Sequence, residues 1–229
     1  MSEVGAAIAD FWGDYGQLLL SGTWATLEMT ILSTLFAYVI GIPLGVLVTI
    51  TRRNSLWPHP VLSSVLGWIV NIFRSIPFII LLVFLMPFTR ALVGTTMGVL
   101  GAIPPLVIAA APFVARMVEQ SLQEVSPGLI EAAQASGATN AQIVWKVMLK
   151  EAMPSIVRGV LIAFITLFGY VAMAGTIGAG GLGDIAMRYG YYRYQDSVMY
   201  VTLVILIIIV QIAQSIGDVV ARRVDKKMR

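Results

Sequence analysis

Apolar residues fall into long blocks along this chain, separated by short polar or glycine- and proline-rich stretches. A membrane-crossing helix needs about 20 predominantly apolar residues. Five blocks are long enough: Trp24 to Ile50, Val61 to Phe88, Ala91 to Met117, Pro154 to Gly178 and Val198 to Val220. The second is interrupted at Asn71, Arg74 and Pro77, and the third contains Pro104, Pro105 and Pro112. Prolines are tolerated in such helices because neighbouring groups re-satisfy the freed backbone. The pattern predicts an all-α integral membrane chain with five transmembrane helices. Residues 1–23 form an N-terminal segment, 24–220 the transmembrane domain, and 221–229 a basic tail.

Composition agrees with this reading. Of 229 residues, 58% are hydrophobic and 12% charged, about half the charged share of a soluble domain. Charge placement sets the orientation, because cytoplasmic segments collect Lys and Arg. With the C-terminus inside, the inner segments hold Arg52, Arg53, Arg116, Lys146, Lys150, Arg158, Arg222, Arg223, Lys226, Lys227 and Arg229, which is 11 of the 15 basic residues. The outer segments hold Arg90, Arg188 and Arg193, and the first 23 residues hold none. The expectation is N-out, C-in. The N-terminus lacks the positive region of a signal peptide and is expected to stay on the protein. No internal repeat is visible, so two membrane halves would come from two copies. The pairs Gly41/Gly45 and Gly94/Gly98 have GxxxG spacing, which allows close backbone approach within the chain or between copies.

Several chemistries are excluded. The chain has no cysteine, and its one histidine, His59, stands between two prolines. That leaves no thiolate and no histidine pair, and no metal site is expected. HExxH and GxSxG motifs are absent, which argues against an intramembrane enzyme, and no catalytic residue is expected. Basic residues are not interleaved with aromatics, so nucleic acid is not an expected partner. A secondary transporter or channel remains as an alternative, but it predicts ionisable groups near mid-membrane. Glu28, Glu119 and Asp218 instead fall near the ends of the blocks.

The longest polar interruption, about 126–153, has clear helix signals. Ser126 is placed to cap a helix with Pro127 at its first position. Gly137 fits the stop of that helix. Thr139 with Gln142 three residues on matches a capping box. Ile143, Val144, Val147 and Met148 then share one face of a second helix running to Pro154, with Lys146 and Lys150 elsewhere. Alanines at 132, 133 and 135 keep the first helix slim enough to enter a groove on another protein, and Glu131 adds a charge that could pair with basic groups. A hairpin resting on lipid headgroups is the other reading of these signals.

This stretch resembles the EAA motif of ABC-importer permeases: Glu131, Ala132, Ala133 and Gly137 match, as do the aliphatic Val147 and Leu149. Lys150 stands where the motif has proline, which puts a kink there in doubt. Segments such as FRSIPFIILLVFLMPFTR, APFVARMVEQSL and GYVAMAGTIGAGGLGDIAMRYGYYRY are similar to the methionine-uptake branch of these permeases. The resemblance covers most of the chain from Trp24 onward. It implies a multi-pass permease of the bacterial inner membrane, translocating methionine by alternating access. It also implies a second copy of the chain, two cytoplasmic ATPases and an external methionine-binding (lipo)protein. Glu131, Ala132, Ala133, Ala135 and Gly137 would sit in the ATPase groove. ATP and magnesium would belong to that partner, since this chain has no phosphate-binding GxxxxGK[ST] loop and needs no cofactor of its own.

Other positions carry candidate roles. Gly178, Gly180 and Gly183 spell G-x-G-x-x-G, but they follow a membrane block rather than a strand, so dinucleotide binding lacks its context. A flexible outer turn in which Gly180, Gly181, Gly183 and Asp184 meet the external binding protein is the better expectation. The tyrosines at 189, 191, 192 and 194 read as an interfacial belt. Arg74, the basic residue inside an apolar block, either snorkels or lines the inner vestibule, or contacts substrate. Thr166, Tyr170 and Met173 share one helical stripe and are either packing or pathway-lining residues.

Overall fold

The computed structural model describes residues 3–224, and among these the chain is helical with no strand. Helix α1 runs Glu3–Ile50, 48 residues. At 1.5 Å per residue this is about 72 Å, more than twice the ~30 Å of a bilayer's hydrocarbon. The separate N-terminal segment expected before Trp24 is therefore the first half of the same helix. Its packing explains this. Leu19 joins a core with Leu182, Ile185 and Val198, and Phe11, Tyr15 and Leu18 pack against that core.

The second block is not one helix. It is α2 (Pro60–Ser75), α3 (Phe78–Phe84) and α4 (Met86–Val93). Pro77 disfavours the helical conformation in the residue before it, and Ile76 is extended at φ −81°, ψ 125°. Helix α4 ends on Gly94 at φ +80°, whose N–H donates to the Arg90 carbonyl. This moves the start of the third helix, expected at Ala91, to Gly98. Helix α5 (Gly98–Gln123) contains the three prolines of the block. Gly98 is at φ +71° and its N–H donates to the Gly178 carbonyl at 3.0 Å.

After α5 come α6 (Pro127–Ala135), α7 (Asn140–Gln142), a π-helical segment (Ile143–Met148) and α8 (Leu149–Gly175), which carries Pro154 inside it. The fourth block thus begins a full helix earlier than Pro154, as a continuous run from Asn140 to Gly175. Beyond it lie α9 (Gly181–Ile185), a second π segment (Ala186–Tyr191) and α10 (Asp196–Val224). Four of the described helices are long and apolar enough to cross a membrane. A fifth crossing is counted if α2 and α3, bent sharply from each other, form one broken span.

The chain divides into two compact units. One comprises the segments up to Ser33, Phe78–Leu106 and Ile165–Ile212. Its core is the Leu19 cluster, reinforced by the Thr26 hydroxyl, which donates to the Gly22 carbonyl and accepts from Leu182 N–H at 2.8 Å. The other comprises Thr34–Pro77, Val107–Phe164 and the chain from Ala213 on. Here α1 packs on α5 through Gly41 and Gly45. A Cβ on Gly45 would lie 2.5 Å from the Ala115 carbonyl oxygen and 2.8 Å from Val118 Cβ. This GxxxG pair serves packing within the chain. The other pair, Gly94/Gly98, has open space around it and serves turns at positive φ.

Candidate functional site

The polar segment between α5 and α8 folds largely as its local signals require. Pro127 opens α6, and Ser126 is the N-cap, but its hydroxyl makes no capping hydrogen bond. Gly137 stops the helix at φ +79°, with its N–H on the Gln134 carbonyl at 2.9 Å. The capping box is complete: Gln142 N–H donates to Thr139 Oγ1 at 3.3 Å, and Thr139 N–H donates to Gln142 Oε1 at 3.0 Å. Ile143, Val144 and Met148 are buried and Val147 half-buried, while Lys146 and Lys150 are exposed. The hydrophobic face is as expected, although it is carried by a π-helical turn.

Helix α6 buries none of its residues. Glu131, Ala132, Ala135 and Gly137 are exposed, and Ala133 is partly so. An unburied nine-residue helix gains little from its own unit and is too short to be stable alone in water. It packs on the π-helical segment Ile143–Met148 that follows it. A cleft of about 310 Å³ separates Ile130, Glu131 and Gln134 from Asn54, Ser55 and Leu56 of the loop after α1. Asn140 Nδ2 donates to the Leu56 carbonyl at 2.8 Å and ties that loop to the segment. No sequence signal pointed to Asn54–Leu56, since the partners are 84 residues apart and the contact is to a backbone carbonyl.

A buried ion cluster joins α5 to the loop after α1. Glu119 on α5, 2% exposed, receives Arg52 on one carboxylate oxygen and Arg116 on the other, the latter at 2.5 Å. With its amide turned so that Oε1 faces the guanidinium, Gln123 accepts from Arg52 Nη1 at 3.0 Å and Nη2 at 3.2 Å. A carboxylate this buried is tolerated because both oxygens carry charge-assisted hydrogen bonds.

The remaining candidates are scattered. Arg74 occupies the last turn of α2 and is exposed. On α8, Met173 is exposed and Thr166 half-buried, while Tyr170 stacks on Phe78 with centroids 4.5 Å apart and planes at 3°. The segment 178–184 is not a flexible turn. Gly181 and Gly183 are buried. A Cβ on Gly181 would lie 2.6 Å from Thr26 Oγ1, and one on Gly183 would collide with the Ala172 carbonyl. Asp184 pairs with Arg188 at 2.8 Å. The glycines are there for close packing, so neither Gly181 nor Gly183 offers a surface to a partner. Among the described residues, no group of three histidine, aspartate or glutamate side chains is placed to hold a metal ion.

Known proteins supply the context. Residues 41–229 match the family described as binding-protein-dependent transport system inner membrane component. The chain is 50% identical, over 96% of its length and 98% of the relative's, to a probable D-methionine transport system permease protein, MetI, of Vibrio cholerae. It is 47% identical, over 79% of its length and 82% of the relative's, to the methionine import system permease protein MetP of Bacillus subtilis. Its fold superposes with a TM-score of 0.91 and 51% identity on a chain of the MetNI methionine ABC transporter in an inward-facing conformation. That match covers 93% of this chain and 99% of the other.

Proposed function

Because the chain belongs to the family of binding-protein-dependent transport system inner membrane components, we propose that it is the membrane-spanning permease subunit of an ATP-driven methionine importer. The substrate assignment rests on relatives named for methionine transport at 50% and 47% identity over most of both chains. The chain is a transport component rather than an enzyme, and it lies in the inner membrane of a bacterium.

The observation that carries the mechanism is α6. It is a slim helix with no buried residue, stopped by a left-handed glycine. In this reading, Glu131, Ala132, Ala133, Ala135 and Gly137 enter a groove on a cytoplasmic ATPase, and the ATP and Mg²⁺ belong to that partner. The Asn54–Leu56 loop faces the helix across the cleft. Two copies of the chain with two ATPases form the working unit, and an external binding protein delivers substrate. Closure of the ATPases pushes on α6, and the run from Asn140 to Gly175 transmits the motion into the membrane as a rigid-body switch. The orientation is N-out and C-in, with five crossings, α2 and α3 together forming the broken one. Residues 24–220 are the transmembrane domain, 126–153 its coupling segment, and 221–229 a basic cytoplasmic tail.

Arg74, Thr166 and Met173 remain candidates for lining the pathway. Tyr170 fits a packing role better, given its stack on Phe78. Contact with the binding protein falls to the half-buried Gly180 and Asp184.

The test is co-expression with the ATPase. Glu131→Lys or Gly137→Leu should abolish ATPase association or uncouple methionine uptake while leaving the membrane helices folded. Unchanged association and uptake in both variants would remove the coupling assignment.

A further inference from the structure

Beside the ion cluster lies a cavity of about 290 Å³ whose polar wall is Arg52, Arg116, Glu119, Ser63, Ser64 and Asn71. Two guanidiniums face one carboxylate there, which leaves one positive charge uncompensated. Glu119 is spoken for on both oxygens. The guanidiniums keep solvent-facing edges even with the Gln123 contact to Arg52: the Arg52 and Arg116 side chains are 46% and 32% exposed. The cavity is therefore a cationic pocket with hydroxyl and amide groups around it, rigidly held by a buried carboxylate. Nothing in the coupling role uses it.

Helix α2, which walls the pocket, has three faces. Val70 is buried against the chain. Ser64, Gly67 and Asn71 line the pocket. The third face is Val61, Leu62, Val65, Trp68, Ile69 and Ile72, all exposed large apolar residues. At 100° per residue these six fall within one continuous stripe. Trp68 belongs to both surfaces: it lines the pocket and is 68% exposed. An occupant that is anionic at one end and apolar at the other would satisfy both surfaces together, whereas a small free anion would use only the pocket.

We propose that this pocket binds the headgroup of an anionic phospholipid of the cytoplasmic leaflet. The phosphate sits against Arg52 and Arg116, and the acyl chains lie along the apolar face of α2. Basic pockets between helices on the cytoplasmic side are suited to such headgroups. The leaflet assignment rests on the C-in orientation given above, and the chemistry of the pocket does not depend on what is transported.

The test uses the full chain in neutral detergent, with lipid adducts counted by native mass spectrometry. Phosphatidylglycerol, phosphatidylcholine and inorganic phosphate are the probes. Phosphatidylglycerol should be retained in preference to phosphatidylcholine, and inorganic phosphate should not displace it at equal concentration. Ser64→Glu and Asn71→Asp place a carboxylate in the pocket without touching the ion cluster. Each should weaken phosphatidylglycerol binding about fivefold, the worth of one charge near the membrane surface, while Ser197→Glu on α10 leaves it unchanged. Equal retention of both lipids, or pocket variants that bind like the parent, would overturn the proposal. Displacement by inorganic phosphate would assign the pocket to a free anion instead. The chain has no cysteine of its own, so Val65→Cys reports directly on a second copy. A disulfide-linked dimer through that position would mean that a protomer, not lipid, covers α2. Labelling of Asn54→Cys with a membrane-impermeant maleimide reads the orientation separately, and methionine uptake reads the transport assignment.

Discussion

Gly137 gives the sharpest test of how the coupling segment works. It lies at φ +79° with nothing within 4 Å of where a Cβ would stand. Alanine there meets no neighbour, so its whole cost is the left-handed backbone, about 1–2 kcal/mol for an L-residue. Asparagine tolerates this conformation better. Since α6 buries no residue, the cost should fall on the end of α6 alone, as local unfolding rather than loss of the whole fold. If the ATPase grips the formed turn, 1–2 kcal/mol corresponds to a 5- to 30-fold weaker association. The assay is ATPase binding to detergent-solubilised permease, with thermal unfolding of the permease measured in parallel. Gly137→Ala should weaken binding 5- to 30-fold with an unchanged unfolding temperature, and Gly137→Asn should recover most of the loss. If asparagine is no better than alanine, the left-handed backbone is not what the partner needs. A lowered unfolding temperature with normal binding would place the role of Gly137 in the fold instead.

Three further outcomes follow from packing and charge. Gly45→Ala should destabilise the protein by about 1–3 kcal/mol in thermal unfolding, because the new methyl meets the Ala115 backbone and Val118 and a packed contact of this kind resists overpacking. The double change Arg52→Gln/Arg116→Gln should strand the buried Glu119 carboxylate. The loss should fall below the ~3–5 kcal/mol of a fully buried pair, since both arginines reach solvent, and adding Glu119→Gln should restore most of it. Thr26→Val should cost about 1–3 kcal/mol by leaving the buried Leu182 N–H without its acceptor. Hydrogen exchange at that amide should quicken, and Thr26→Ser should behave like the parent.

The coupling segment was largely legible because its rules are local. A capping box joins residues three apart, a proline opens a helix, and a glycine closes one, so Pro127, Gly137 and the Thr139–Gln142 pair could be read directly. Ser126 was misread only in detail, as its position is the cap but its hydroxyl does not bond. The break at Ile76–Pro77 was visible as an interruption, but α4 (Met86–Val93) was not, because it straddles the expected end of the second block and start of the third. The glycines at 181 and 183 were misread as a flexible surface. Glycine looks the same in sequence whether it serves motion or close approach, and only the approach of Thr26, far back in the chain, and of the Ala172 backbone decides which.

Two features had no sequence signature at all. Glu119 sits 67 residues from Arg52, and the loop after α1 meets Asn140 across 84 residues. Hydropathy determined that the chain is helical and membrane-embedded, because apolar segments of that length have no other stable solvent. The spacing of caps and breakers determined where the polar segment turns. Tertiary structure alone decided that α1 continues past Trp24 toward the N-terminus, that Gly45 and Gly183 are contacts, and that two arginines share one buried carboxylate. Each of these depends on which remote backbone or charge lies within a few ångströms, and that is fixed by packing in three dimensions rather than by any local pattern.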